Sequence, residues 1–329
     1  MKTDEKALVT GVAGFIGSTL AERLLESCSV VGIDCFTDYY PQRFKEDNLA
    51  SLMSNERFRF IEGDLLDIEL EDLDVDYIFH EAAQPGVRHS WGKDFHIYVK
   101  NNILATQKIL EASINSNVKK ILFASSSSVY GDTPHLPMHE EALPRPVSPY
   151  GVTKLAAENL MHLYWKNYDL PTISLRYFTV YGPRQRPDMA IRRFLKSFFT
   201  KDHVIIYGDG NQTRDFTYIS DVVDANMLAA ESHIDGETIN IGTGSAVSVN
   251  NLLDTIEKIS GRTTKRRYIK SEKGDMRHSR ADIQRAKRLL SYRPTVSLEE
   301  GLKKTLEWMN KELKSFETNA KSSWDYIQT

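Results

Sequence analysis

Tyr150 and Lys154 stand four residues apart in Ser148-Pro149-Tyr150-Gly151-Val152-Thr153-Lys154. That spacing puts both side chains on one face of a helix. An ammonium beside a phenol favours the phenolate and lowers the tyrosine pKa. Upstream, Ser125-Ser126-Ser127-Ser128-Val129-Tyr130-Gly131 offers a row of hydroxyls. Near the N-terminus, Gly11-x-x-Gly14-x-x-Gly17 directly follows an apolar run, Ala7 to Thr10. A glycine-rich turn between a strand and a helix binds the pyrophosphate of a dinucleotide at the helix N-terminus. A base, a hydroxyl partner and a hydride carrier are the parts needed to oxidise or reduce an alcohol. Each signal is weak alone; together, in this order, they are specific.

Two acidic residues extend the dinucleotide reading. Asp34 ends the second predicted strand, where a carboxylate accepts the hydroxyls of the adenosine ribose and repels a 2′-phosphate. That favours NAD over NADP; a plain turn residue is the alternative. Asp64-Leu65 follows the third strand and is placed to reach the adenine, with a helix N-cap as an equally good reading.

The elements that must hold these residues alternate. Strands are predicted at 7–10, 29–33, 58–61, 77–80, 120–124 and 172–177. Helices fall at 15–26, 94–116 and from Ser148-Pro149 to about Tyr168, where serine caps and proline suits the first turn. Strand–helix alternation implies an α/β protein of Rossmann type, a doubly wound parallel sheet. After Gly182-Pro183-Arg184-Gln185-Arg186-Pro187 the elements become shorter and mixed: strands at 204–207 and 216–219, helices at 194–200, 221–231, 249–260, 283–290 and 298–314. A smaller mixed α/β lobe is therefore expected over 183–314, after a dinucleotide-binding domain over 1–182, with some exchange of elements between them. The polar residues 315–329 read as a tail.

At 329 residues the chain exceeds the usual single-domain size. With 41% hydrophobic and 26% charged residues, net charge −3 and pI near 6.3, nucleic acid is excluded as the main partner. The acidic, lysine-bearing start runs straight into a strand, so no signal peptide is expected, and no apolar run is long enough for a membrane span. Cys28 and Cys35 flank a strand too long to bridge and are expected as buried thiols of a reducing, cytoplasmic setting. No Cys–His grouping has metal spacing. His80, at a strand end, is expected to be a core histidine.

The combination of Thr10-Gly11-Val-Ala-Gly14-Phe15-Ile16-Gly17, Phe79-His80-Glu81-Ala82-Ala83, Ser126-Ser127-Ser128-Val-Tyr130-Gly131, the Tyr150–Lys154 segment, Leu175-Arg176-Tyr177-Phe178 and Arg214-Asp215-Phe216 resembles the extended short-chain dehydrogenase/reductase family, in its nucleotide-sugar epimerase and dehydratase branch. The likeness spans about residues 5 to 312. It implies Tyr150 as base, Ser126 as its hydroxyl partner and Lys154 on the nicotinamide ribose. It also implies NAD contacts from Gly11, Gly14, Phe15, Ile16, Gly17, Ala82 and Tyr177, and an Asn102 that steadies the site backbone. A UDP-sugar in the C-terminal lobe is implied too, with Arg214 and Arg277 on its phosphates. A homodimer through the two long helices follows from the same resemblance.

Within the branch, the residues after Ser126 discriminate. Dehydratases carry an Asp-Glu pair and decarboxylases a glutamate where this chain has Ser127-Ser128. No carboxylate stands ready to move a proton at sugar carbon 5 or to help expel carbon dioxide, so 4-epimerisation through a 4-keto sugar remains. Thr179 in Arg176-Tyr177-Phe178-Thr179, Arg186 in Tyr181-Gly-Pro-Arg184-Gln-Arg186 and Arg88 in Ala83-Gln-Pro-Gly-Val-Arg88 resemble the UDP-glucuronate 4-epimerases. Ser127, Ser128, Thr179 and Arg186 make a sensible carboxylate cradle; phosphate binding or surface ion pairs are the other readings of Arg88, Arg184 and Arg186. UDP-glucose or UDP-N-acetylglucosamine 4-epimerisation is the nearest alternative, a decarboxylase the next, and a silent NAD-binding regulator the alternative of another class.

Overall fold

The computed structural model describes residues 1–70, 74–200 and 202–319. The first half of the chain runs β1 (Lys6–Thr10), α1 (Phe15–Leu24), β2 (Ser29–Asp34), α2 (Gln42–Met53), β3 (Phe58–Glu62) and β4 (Tyr77–His80). It continues as α3 (Phe95–Tyr98), a π-helical segment Val99–Leu104, α4 (Ala105–Ser113), β5 (Lys120–Ser126), α5 (Pro149–Tyr168) and β6 (Thr172–Tyr177). The second half holds β7 (Thr179–Tyr181), α6 (Ala190–Thr200), β8 (Val204–Tyr207), β9 (Thr213–Arg214), β10 (Phe216–Tyr218) and α7 (Ile219–Glu231). It ends with β11 (Glu237–Ile241), β12 (Val247–Ser248), α8 (Val249–Ser260), β13 (Arg266–Ile269), α9 (Gln284–Leu290) and α10 (Leu298–Asn319).

Seven strands form one sheet in the order β11-β6-β5-β4-β1-β2-β3, every neighbouring pair parallel. Helices cover both faces, which is why β1, β4 and β5 read as nearly unbroken apolar runs. Ala7, Val9, Phe79, Leu122, Ile173 and Leu175 are at most 1% exposed. The chain winds outward from β1 toward β3 and then back through β4, so a crevice opens at the carboxyl ends of β1 and β4, the usual place for a ligand in such a sheet. Two-stranded pairs β7–β10, β9–β12 and β8–β13 build the second half.

Several elements differ from expectation. The helix expected over 94–116 is α3, the π-helical segment and α4, and it ends at Ser113. The strand expected to reach Ile219 stops at Tyr218, and Ile219 opens α7. β11, the edge strand of the main sheet, is short and half polar, and nothing in the sequence reading marked it. α10 continues through Asn319 where a tail was expected to begin at 315; residues 320–329 lie outside the described residues. Cys28 is buried but Cys35 is exposed, a correction to the pair of buried thiols, and both are free. Among the described residues no helix is long and apolar enough to cross a membrane, and no group of His, Cys, Asp or Glu is arranged to hold a metal.

Candidate active site

The glycines make a cradle that side chains would fill. Gly11 has φ +67, and a Cβ there would lie 2.8 Å from the backbone of Ala82; one on Gly17 would lie 2.3 Å from the Gly11 carbonyl oxygen. Gly14 caps α1 without a side-chain hydrogen bond, and the first turn holds no acid. The first-turn N–H groups of Phe15, Ile16 and Gly17 are thus left for an anion. Asp34 ends β2 beside this loop: its Oδ2 accepts from the Ala13 N–H at 3.0 Å and its Oδ1 from Phe36 N–H at 2.9 Å. Burial raises the Asp34 pKa, against the Phe36 N–H and the Lys45 ammonium. Lys45, not singled out in the sequence, is buried and lies 4.8 Å from the Tyr40 ring centroid; only its spacing along an unread α2 could have marked it. Asp64 is no helix cap. Its Oδ1 accepts from Leu66 N–H at 3.0 Å and its Oδ2 pairs with Lys100 at 2.7 Å, while Leu65 is buried. These residues fit a dinucleotide: a pyrophosphate on the glycine turn and a ribose at Asp34.

Ser148 accepts from the Gly151 N–H at 3.1 Å and Pro149 opens α5, which fixes where Tyr150 enters the cleft. Ser126 ends β5, and its Oγ accepts from the Ser128 N–H at 3.1 Å, starting a single 3₁₀ turn over Ser127–Val129. Tyr98 meets the Tyr150 ring edge-on, with centroids 6.3 Å apart, and donates to the carbonyls of Pro85 and Gly86. Lys154 lies below, 2% exposed. Its Nζ donates to the Ala124 carbonyl at 2.7 Å and sits 4.7 Å from the Phe123 ring centroid.

The electrostatics correct one expectation. Burial raises the Tyr150 pKa, and the opposing influences are the Ser126 hydrogen bond and the Arg186 guanidinium, not Lys154. Burial pushes Lys154 down to about 8, against the raising influence of the Glu81 and Glu158 charges. Glu158 accepts from Ser125 and from two nitrogens of Arg176, at 2.9 and 2.8 Å. His80 is the expected core histidine, held by Thr10 at 2.8 Å and Thr106 at 3.0 Å and depressed to about 3, first by burial and then by Lys154. Asn102, inside the π-helical segment, accepts from the Gln84 N–H at 2.7 Å and donates to the Gln84 carbonyl and to Thr153. It ties the loop after β4 to α5.

A cleft of about 1740 Å³ collects Ser126, Ser127, Ser128, Tyr150, Tyr177, Thr179, Arg88, Arg186, Arg214 and Arg277. Arg186 is bidentate on Asp188, at 3.0 and 3.1 Å, and stacks 5.8 Å from the Tyr39 ring centroid. Arg88 pairs with Asp275 at 2.8 Å and lies 3.8 Å over Tyr207. Arg214 donates to the carbonyls of Thr213 and Arg277, and the charges that face it are Asp275, Arg88 and Asp132. Arg277 turns its guanidinium onto Asp209, at 2.9 and 2.8 Å. Arg184 has φ +66 and pairs with Glu22 at 2.6 Å, the ion-pair reading of that residue. Sequence reasoning missed Tyr39, Asp188 and Asp275, since an acid near an arginine gives no signal of its own.

A doubly wound parallel sheet with this glycine cradle and a Ser–Tyr–Lys set at the carboxyl ends of its strands defines the extended short-chain dehydrogenase/reductase class. The profile of the NAD dependent epimerase/dehydratase family matches residues 7–242. The chain is 45% identical over 310 residues to an uncharacterized UDP-glucose epimerase of Bacillus subtilis, covering 93% of this chain and 98% of that one. It is 40% identical over 310 residues to a UDP-glucuronate 4-epimerase of Thermodesulfobacterium geofontis, covering 92% and 95%. The crystal structure of the Bacillus cereus UDP-glucuronic acid 4-epimerase with UDP-glucuronic acid and NAD superposes with a TM-score of 0.91 at 47% identity, over 93% of this chain and 99% of that one. The chain belongs to the NAD dependent epimerase/dehydratase family.

Proposed function

We propose that this enzyme, an NAD-dependent UDP-sugar 4-epimerase, converts UDP-glucuronate to UDP-galacturonate. The observation that carries the choice of sugar is the cleft around Tyr150. Ser127, Ser128, Thr179 and Arg186 share it, and the guanidinium already grips a carboxylate there, that of Asp188. The names of the T. geofontis and B. cereus relatives support the reading. The second reading, a UDP-glucose epimerase, has in its favour the name of the B. subtilis relative and the fact that Asp188 already satisfies Arg186.

NAD, when bound, supplies the acceptor and later the donor of a hydride at sugar carbon 4; Gly11, Gly14 and Gly17 with the first turn of α1 hold its pyrophosphate, Asp34 its adenosine ribose and Lys154 its nicotinamide ribose. Tyr150 takes the proton of the sugar 4-hydroxyl, with Ser126 completing the hydrogen-bond path. Arg214 and Arg277 hold the diphosphate, with Arg88, paired with Asp275, lining the same cleft. The sugar turns about that anchor and presents its other face, and Tyr150 returns the proton. The ketone formed on the way stands beta to the carboxylate, an arrangement that loses carbon dioxide easily. Ser127, Ser128, Thr179 and Arg186 keep the carboxylate out of alignment with the ketone π system.

The enzyme works as a homodimer in the cytoplasm, with a dinucleotide domain over 1–182 and a sugar-binding lobe over 183–314 that exchange elements, β11 of the second half completing the sheet of the first. The exposed Leu104, Val152, Leu163 and Tyr168 on the two long helical stretches support that pairing.

Steady-state kinetics of Arg186→Ala test the cradle. A lost charge-assisted contact to a carboxylate corresponds to about 1.5–3 kcal/mol, so kcat/KM for UDP-glucuronate should fall at least about tenfold, and that for UDP-glucose much less. Equal losses on both sugars would assign Arg186 to phosphate or to the fold.

A further inference from the structure

Glu81 is the residue of the site that the reaction above leaves without a part. His80 and Phe123 are register partners in β4 and β5, so Glu81 follows beside Ala124, the residue whose carbonyl takes the Lys154 ammonium at 2.7 Å. Across the end of β5, the Tyr177 hydroxyl donates to Glu81 Oε1 at 2.8 Å. Asn226, from α7, in turn donates to the Tyr177 oxygen at 2.7 Å. The carboxyl is therefore anchored from a strand and a helix, not left to swing in the cleft.

The charges of two acids, Glu81 and Glu158, act to raise the Lys154 pKa, and they are not equivalent. Glu158 is bidentate on Arg176 and accepts from Ser125 as well, so its charge is already balanced by a buried guanidinium. The charged or titratable groups that face Glu81 are the Tyr177 hydroxyl from β6 and Lys154 from α5, with His80 neutral on its own strand. We propose that Glu81 is a positioning residue for Lys154: its anchored carboxylate is the counter-charge that keeps the ammonium seated on the Ala124 carbonyl during turnover.

Glu81 carries its charge above about pH 7, the range in which Lys154 gives up its proton. Burial lifts Glu81 to about 7, against the Tyr177 hydrogen bond and the Lys154 charge. Burial lowers Lys154 to about 8, and Glu81 is the first influence opposing it. Removing the Glu81 charge removes a raising influence, so the ammonium is lost at lower pH. The bearing on turnover rests on the role proposed for Lys154.

The test is a titration of holoenzyme carrying ¹³Cε-labelled lysine, with the Lys154 resonance assigned through Lys154→Met. A pH–rate profile on UDP-glucuronate accompanies it. In Glu81→Gln the Lys154 midpoint should move down by about one pH unit or more, and the alkaline limb of turnover should move with it. Glu81→Asp keeps the charge and should leave both near the parent values. If Glu81→Gln does not fold, Glu81→Met, which also removes the charge, is titrated in its place, and an unmoved Lys154 midpoint there overturns the proposal. An unmoved Lys154 midpoint in Glu81→Gln overturns it, and so does a shifted midpoint with an unmoved alkaline limb. The titration needs no sugar, so failure to turn over UDP-glucuronate would count against the proposed substrate alone.

Discussion

A few oxygen atoms on one wall of the cleft separate an epimerase from a decarboxylase in this account. The Thr179 N–H is already committed to the Asp215 carbonyl at 2.9 Å, so the backbone there is fixed and its hydroxyl is the free part. Thr179→Ala should let the substrate carboxylate rotate. A fraction of turnovers should then release carbon dioxide and leave a 4-keto-pentose together with NADH, seen by NMR and by absorbance at the NADH band. A variant that only slows, giving neither pentose nor NADH, would show that these hydroxyls do not control alignment. At this scale the sequence was informative where chemistry fixes a spacing. Tyr150 and Ser126 line one cleft because a helix and a strand end present them together. The pairing of Arg186 with Asp188, two residues on, and the seat of the Lys154 ammonium on the Ala124 carbonyl were not legible. Both depend on which rotamer a long side chain takes inside a closed cleft, and periodicity carries no information on that.

The elements do the aiming. β1, α1 and β2 bring Gly11, Gly14, Gly17 and Asp34 to one corner, and the Ala13 N–H ties Asp34 to the glycine turn at 3.0 Å. A fixed carboxylate at that corner should make NAD the preferred cofactor. Titration calorimetry should give weaker binding of NADP by about tenfold or more, a difference of about 1.4 kcal/mol. Equal affinities would show that Asp34 does not touch the ribose. The strands buried on both faces were easy to read from their apolar runs, and α5 from its Ser148-Pro149 start. β11 was not: Thr238, Ile239, Asn240 and Ile241 alternate too briefly to be told from a loop. Its Asn240 is buried because it donates to the carbonyls of Met138 and Asp282 and accepts from Tyr130, a use that only the folded neighbours reveal. α2 is a weakly amphipathic surface helix with four buried positions, which explains why no clear period announced it.

In the whole molecule, the parallel sheet supplies the cofactor corner and the second half of the chain closes over it with arginines. β11 follows β10 and α7 yet completes the sheet begun by the first half, so the two halves share a core and cannot be separated cleanly at residue 183. The central claim is that this cleft inverts carbon 4 of a carboxylate-bearing UDP-sugar and keeps the carboxylate. The most direct measurement incubates the purified holoenzyme with UDP-glucuronate, UDP-glucose and UDP-N-acetylglucosamine in parallel and identifies the products by proton NMR. The account predicts UDP-galacturonate from UDP-glucuronate as the fastest conversion, with no pentose and no accumulation of NADH. Faster epimerisation of a neutral sugar, or a pentose as the main product from UDP-glucuronate, would contradict it.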